Sequence, residues 1–433
     1  MRLVRAVPLP ETLVKAGAAA EQPSCPAAVS GDRRLPLSAG WYSSRLAWLE
    51  RRSFLCASDN AVYVVQVEGN RQVARGDSEP FAPAPPQPYL LPTETVTARW
   101  TRLDQPRLRS EIQCLACAPC HLTTESSLWL LSAVDAHGTA VVSRLHRDVA
   151  DSGQRCWNVR SGYTVPPVDP VDAVASGAAC ALLVDDARSS APLLAVMRHL
   201  PNAVSLYDGE LPLRTWHTVE HPTSVAFWPG DIGLHDTGAT GHMNSHAPLL
   251  FLTEGAYLTV LDLRASAAAM RRKPLASVPA ATGGRSGCLY GCAVNEDAVA
   301  VAAGAERTVL AVDYRTWRVR GRWPTCLRQD ATTVLLPRRA PDAAAKTWRG
   351  CCFVSGIDNE MAFGRWDAIA PTPRGGDTTI TAPHVMLSGS RPLSSQRLFG
   401  FRADERWLGA CLMGDTHWAG VSESGAVYLL ELE

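Results

Sequence analysis

The sequence predicts an all-β fold built from about seven copies of one short-strand unit, and three observations predict it. The first is a repeated phrase. An apolar strand ends near Pro, Asp or Gly, a second strand of small and apolar residues follows, and a tight polar turn leads into a third, mixed strand. The second is the absence of long helical periodicity: only the stretches 11–22 and 264–273 read as a short helix or turn. The third is 13 Trp against 8 Phe, a ratio met in Trp-rich all-β folds.

The copies can be taken in order. Near the start the phrase reads RLAWLERR, SFLCASDN, AVYVVQVE, and at the end WLGACLMGD, HWAGVSESG, AVYLLELE. The two closing strands, Ala61 to Glu68 and Ala426 to Glu433, are near copies, β-branched and aromatic, each after a turn-forming Asp-Asn or Ser-Gly. Between them come QCLACAPCH with SLWLLSAVDAHGTAVVSRL, AACALLVDD with APLLAVMRHLPNAVSLYD, and SVAFWPGD with APLLFLTEGAYLTVLDLR. LYGCAVNED with AVAVAAGAERTVLAVDYR and TVLLPRR with WRGCCFVSGIDNEMAFGRWD complete the set.

Seven copies in 433 residues give about 62 residues each, against roughly 40–45 for a compact propeller repeat. The surplus falls in Pro-, Gly-, Ser- and Asp-rich insertions at 77–92, 231–248 and 370–383. A four-stranded sheet has two apolar faces and cannot bury both alone. Packing sheets face to face around a ring solves this. The expectation is therefore a single seven-bladed β-propeller, 1–433, with blades at roughly 41–76, 111–160, 171–218, 222–279, 287–323, 331–369 and 396–433. The chain ends on a third-strand pattern, and residues 2–8 are expected to supply the missing outer strand, closing the ring and covering a raw edge.

The phrase SGIDNEMAFGRWD, with Ser355, Asp358 and Trp366-Asp367, resembles the WD-repeat propeller family, as do the opening strands SVAFWPGD and CLACAPCH and the turn in ASDNAVYVVQV. The resemblance covers nearly the whole chain. One copy ends in Trp-Asp, and the one Gly-His dipeptide, Gly241-His242, lies inside a loop. In that family a His–Ser–Asp–Trp network ties a blade together. Here the resemblance implies at most a partial one from Ser355, Asp358 and Trp366, so apolar packing must hold the sheets.

Function classes narrow by composition. Apolar residues make up 46%, enough for a sizeable core, and 42 Lys plus Arg balance 42 Asp plus Glu. That balance argues against a broad nucleic-acid or anionic-membrane footprint. No apolar run reaches the length of a membrane span, and the first residues carry no continuous hydrophobic signal segment. Thirteen scattered cysteines without any N-x-Ser/Thr sequon favour a reducing, intracellular setting, cytoplasmic or nuclear.

Candidate chemistry is sparse. Cys117, Cys120 and His121 spell C-x-x-C-H, the spacing of covalent haem attachment, and Cys114 extends the series. Yet strand alternation sends residues three apart to opposite faces, no second C-x-x-C exists, and CLACAPCH aligns with SVAFWPGD, Cys114 on Ser224 and Pro119 on Pro229. The spacing reads as coincidental within an opening strand. His235, His242 and His246 share one polar loop where a metal would need the loop to fold back. GVSESG is a hairpin turn with no nucleophile-elbow spacing, and TGGRSG lacks the following helix and Lys of a phosphate loop. No catalytic, cofactor or metal residue is assigned.

The expectation is a non-enzymatic protein–protein interaction scaffold, a subunit or adaptor of a multi-protein complex; the alternative is a propeller hydrolase or metalloenzyme with its site at the channel mouth. Partners are other proteins, with no direct nucleic acid, no membrane insertion and no small-molecule substrate. They would read the turns between second and third strands: Asp59, Asn60, His199, Glu254, Arg307, Asp358, Asn359 and Glu423. Trp228, at the strand-to-turn step FWPGD, is the tryptophan expected to reach the surface.

Overall fold

A computed structural model describes residues 2–8, 44–50, 52–68, 89–92, 94–120, 128–149, 155–168, 177–184, 192–228, 249–263, 270–274, 288–295, 299–303, 307–337, 350–366, 396–413 and 417–431. Every secondary-structure element among them is a strand. The N-terminal strand is β1 (Arg2–Pro8). Groups of four follow: β2 (Leu46–Glu50), β3 (Ser53–Ser58), β4 (Ala61–Glu68), β5 (Glu94–Arg102); then β6 (Ile112–Pro119), β7 (Leu128–Asp135), β8 (Ala140–Val149), β9 (Arg155–Val165). The third group is β10 (Ala178–Leu183), β11 (Leu193–Arg198), β12 (Ala203–Asp208) and β13 (Leu211–His217), the fourth β14 (Pro222–Phe227), β15 (Leu249–Glu254), β16 (Tyr257–Asp262) and β17 (Met270–Pro274). β18 (Leu289–Val294), β19 (Val299–Ala303), β20 (Thr308–Asp313) and β21 (Arg318–Trp323) form the fifth; β22 (Ala331–Leu335), β23 (Cys351–Gly356), β24 (Glu360–Arg365) and β25 (Arg397–Arg402) form the sixth. Last come β26 (Trp407–Met413), β27 (His417–Ser422) and β28 (Val427–Glu431).

The last three strands do not stand alone. β1 pairs antiparallel with β28, Arg2 opposite Glu431 and Ala6 opposite Val427. It also pairs in parallel with β5, Val4 opposite Glu94 and Pro8 opposite Ala98. The first and last groups thus share one eight-stranded sheet, β2-β3-β4-β5-β1-β28-β27-β26, and neither outer strand of the two is left as a bare edge.

Burial follows position within each group. Second and third strands are covered on both faces, so β3, β11, β20 and β23 are buried along their whole length and read as continuous apolar runs. Fourth strands face water: the first three residues of β13 and of β21 are exposed.

The chain divides into two units, residues 1–225 with 403–433, and residues 226–402. In the first, Ala47, Leu49, Leu55 and Val64 of the first sheet pack on Leu115, Leu131, Ala133 and Leu145 of the second. Val4 and Ala6 of β1 join Phe54, Val65, Leu408, Val421 and Leu429 in a neighbouring core. In the second unit, Phe251 and Leu258 pack on Leu289 and Leu310, and Val309 and Trp323 on Val334, Val354 and Trp366. Each fully buried Leu, Val or Phe contributes about 1.5–3 kcal/mol.

Several expectations change here. The fourth strand of the first group is Glu94–Arg102, beyond 41–76, and Arg397–Arg402 closes the sixth group rather than opening the last. Met270–Pro274, expected as helix or turn, is a strand paired along β16; ladder hydrogen bonds override its helix propensity. Trp366 does not join Ser355 and Asp358. Its indole N–H has no hydrogen-bond partner among the described residues, and the ring lies in an apolar cluster. The Asp358 carboxylate instead accepts the amide of Glu360 at 3.1 Å. The insertions 231–248 and 370–383, with His235, His242 and His246, and most of 77–92 lie outside the described residues.

Candidate functional site

The turn between second and third strands is a conserved piece of geometry within this molecule, built on a left-handed residue. Asp59 (φ 52°), Gly138 (φ 73°), Asn202 (φ 53°), Gly255 (φ 52°), Arg307 (φ 51°) and Gly425 (φ 81°) occupy it in six of the groups. Gly, Asn and Asp adopt this conformation at least cost, which is why they recur. The carbonyl beside it has a fixed task. Asp59 O accepts the Ile112 amide at 2.7 Å, Asn202 O that of Thr218 at 2.7 Å, Gly255 O that of Leu289 at 2.8 Å and Arg307 O that of Cys326 at 2.9 Å. These four turns therefore hold the chain entering the next group.

Among the expected contact residues, Asp59 is exposed, while Asn60, His199, Arg307, Asp358, Asn359 and Glu423 are half-buried. Arg307 donates to the Arg328 carbonyl at 3.1 Å, and burial raises the Asp358 carboxyl above its usual range. Glu423 pairs with Arg406 at 3.7 Å. Two residues differ from expectation. Glu254 is 0% exposed, at the buried end of β15, where it accepts a hydrogen bond from Thr259. Trp228 is 8% exposed: its amide continues the pairing to Leu249 and its ring packs on Tyr314, 5.8 Å between centroids. That backbone bond lies one residue past the end of β14, and the indole sits in the core and not at the turn.

The residues that do present apolar surface were not singled out from sequence. Of eight large apolar residues strongly exposed among the described ones, five lie between 168 and 219: Val168, Leu200, Leu211, Leu213 and Val219. Leu200 (52%) stands in the β11–β12 turn and Val219 (65%) in the segment leading to β14. The two segments are tied together. Besides the Thr218–Asn202 backbone bond, Thr218 Oγ1 donates to the carbonyl of Glu220 at 2.7 Å. His221 Nδ1 donates to Asn202 Oδ1 at 2.6 Å, and His199 Nδ1 donates to the Pro222 carbonyl at 2.9 Å. Only oxygen acceptors face the two Nδ1 atoms, which fixes the proton on Nδ1 in each neutral ring. The imidazoles lie against each other, 4.8 Å between centroids at 35°. Burial, set against the Pro222 hydrogen bond, lowers the pKa of His199, and His221 lowers it further.

Below this turn sits buried Arg198. Its guanidinium donates to Ser205 Oγ at 3.0 Å, to the Gly138 carbonyl at 2.9 Å and to Tyr207 OH at 3.2 Å; Tyr207 in turn donates to the Pro166 carbonyl at 3.0 Å. The chain that carries Val168 and the turn that carries Leu200 are thereby anchored to one cation. A Cβ at Gly138 would meet Arg198 Nε at 2.4 Å, so this turn requires glycine for space as well as for φ.

A concavity of about 420 Å³ is lined by Asp104, Pro106, Arg107, Val141, Tyr163 and Thr164. Burial, with Glu210 adding, pushes the Tyr163 phenol up to about 12, so it is protonated at neutral pH and is no base. Among the described residues no three His, Cys, Asp or Glu side chains are grouped to hold a metal ion.

No protein-family model and no curated protein matches the chain. Solved structures do. A chain of the crystal structure of the mitotic checkpoint complex aligns at TM-score 0.52 with 11% identity, over 96% of this chain and 98% of that one. A chain of the crystal structure of BBS1N in complex with ARL6DN aligns at TM-score 0.51 with 9% identity, over 92% and 94%. At such identity the likeness shows the fold, and that fold is a WD-repeat-like β-propeller.

Proposed function

We propose that this protein is a non-enzymatic interaction platform, and that each four-strand group, the last completed by Arg2–Pro8, is one blade of it. The supporting observation is the pair of exposed apolar residues Leu200 and Val219, on two segments tied together by the Asn202–Thr218 and Asn202–His221 hydrogen bonds, with Arg198 anchoring the turn below. A protein partner with an apolar anchor fits this surface. A hydrolytic reading would need a nucleophile and base in reach of each other, and the groove beside Tyr163 supplies no such pair. Both similar chains come from structures of protein complexes, which supports the reading in kind. The sequence expectation of an intracellular adaptor belongs to the same proposal.

The test is the double variant Leu200→Asp/Val219→Asp in the native cell, compared with wild type by affinity purification and quantitative mass spectrometry. The expected result is a specific set of co-purifying proteins, depleted at least tenfold by the variant, with the thermal unfolding midpoint unchanged. If the same set is retained, the patch is not the site. If the wild type runs alone and turns over a small molecule, the platform reading fails.

A further inference from the structure

The fourth strands of the second unit, residues 226–402, are written in cations. β17 reads MRRKP, β21 RVRGRW and β25 RLFGFR, with three, three and two Arg or Lys and no Asp or Glu. On β25, Arg397 turns inward to buried Glu360 at 2.7 Å. The β20–β21 hairpin keeps its cations outside. Arg315, Arg318 and Arg320 are exposed, and Val319 between the last two is 43% exposed. From Asp313 to Trp323 four Arg stand against one Asp, a net +3.

That one Asp fixes the shape of the hairpin. Asp313 Oδ1 accepts the amides of Arg315 at 2.9 Å and Thr316 at 3.2 Å, and the Asp313 carbonyl accepts that of Trp317 at 2.6 Å. Trp317 is left-handed, φ 57°, a conformation that a bulky residue keeps only where its surroundings impose it. The ladder shifts register between Ala311 and Val312, which leaves Arg320 as the extra residue of a bulge. Its Nε and Nη2 donate back to Asp313 Oδ2 at 2.9 and 2.5 Å. Arg318, opposite Asp313 in the ladder, is exposed beside this pair.

We propose that the β20–β21 hairpin is a docking surface for an acidic, partly apolar segment of a partner protein, whose carboxylates pair with Arg315 and Arg318 while its apolar side chains lie on Val319. The charge is complementary, and the hairpin is shaped before contact, so little ordering opposes binding. The same observations disfavour a nucleic acid. Tyr314 and Trp317 pack on the cluster of Trp228, Phe251 and Leu310, and Trp323 is 0% exposed, so the hairpin's rings form no platform for bases. Arg320 already shows how a guanidinium takes a carboxylate here, through two N–H groups. Val319 adds an apolar contact for which a phosphate backbone has no use. The surface differs from that of Leu200 and Val219 in unit and in sign of charge, and it stands or falls apart from it.

The experiment uses the full chain, titrated into a fluorescein-labelled peptide of Glu, Val and Ser and followed by fluorescence anisotropy. Saturable binding is expected, at least tenfold weaker when Gln replaces Glu, and falling severalfold between about 50 and 300 mM salt. Arg315→Glu/Arg318→Glu should lose at least tenfold in affinity with the thermal unfolding midpoint unchanged. The charge-matched Arg107→Glu/Arg109→Glu, exposed positions of the first unit, should stay within about twofold of wild type. Should the double reversal not fold, Arg318→Gln alone should lose about threefold or more. Three results would overturn the proposal. One is no saturation at about 200 µM protein, which leaves the arginines as protection of an open strand edge. The second is an equal loss in Arg107→Glu/Arg109→Glu, and the third is tighter binding of an oligouridylate of the same charge.

Discussion

Leu200 projects from a turn that has no freedom to hide it. Its neighbour Asn202 is left-handed, the carbonyl of Asn202 is committed to Thr218, and its side-chain oxygen to His221. Replacing Asn202 with Val puts a β-branched residue into that conformation and removes the side-chain acceptor. The expected cost is about 2–3 kcal/mol in chemical denaturation. His199 gives a pH signature. Its folded pKa is lowered, so the unfolded chain binds the proton more readily; its contribution to stability is full above the unfolded value of about 6.5 and is lost as pH falls through the folded value. An NMR titration of the ring protons should place its midpoint below 6.5, and a midpoint at or above 6.5 would contradict the burial. Trp228 belongs to the core. Trp228→Ala is expected to cost about 3–5 kcal/mol, whereas a surface contact residue would change stability by less than about 0.5.

At the scale of elements, β1 is fastened by more than its ladders. Arg5 on β1 meets Asp404 at 2.7 Å and lies over the ring of Tyr428, 6.0 Å to the centroid. Asp404 also accepts from Ser422 at 2.7 Å and Ser424 at 2.9 Å, while its amide donates to Tyr428 OH at 3.0 Å. Segment, second strand and third strand are joined here by Asp, Ser and Tyr, where the family resemblance led one to look at Ser355, Asp358 and Trp366. Burial would raise the Asp404 carboxyl, but the serine hydrogen bonds and the Arg5 charge outweigh it and hold it below its usual value. Its stabilising effect is therefore present above about pH 4 and lost as pH falls through the folded value. Asp404→Asn should cost about 1–3 kcal/mol at pH 7 and should unfold with a shallower loss of stability below pH 4 than wild type. Equal slopes in acid denaturation would exclude this role.

Across the whole molecule the neutral total charge conceals an opposition. The unit of residues 1–225 and 403–433 carries 22 Lys plus Arg against 28 Asp plus Glu, a net −6; residues 226–402 carry 20 against 14, a net +6. The proposed patch lies in the acidic unit, so a partner captured there is expected to be basic. Its association rate should fall severalfold between 20 and 300 mM salt, because screening shortens the reach of the field. A flat salt profile would assign recognition to the apolar contact alone. Truncation tests the shared sheet. Removing residues 1–9 strips β28 and β5 of a common neighbour, and fluorescence from Trp407 and Trp418 should report unfolding at lower denaturant than in the full chain.

The sequence by itself determined that the chain is all-β and repeated, because second and third strands are buried on both faces and so must be written in continuous apolar residues bounded by Asn, Asp and Gly turns. It also located the turns, Asp59 and His199 among them. Fourth strands such as Glu94–Arg102 and Leu211–His217 did not stand out because one side faces water and no apolar run is required of them. Which apolar residues stay exposed, Leu200 and Val219 and not Trp228, was left to the tertiary structure. It depends on contacts between segments far apart in the chain, and strand periodicity says which face a side chain takes but not what stands opposite it.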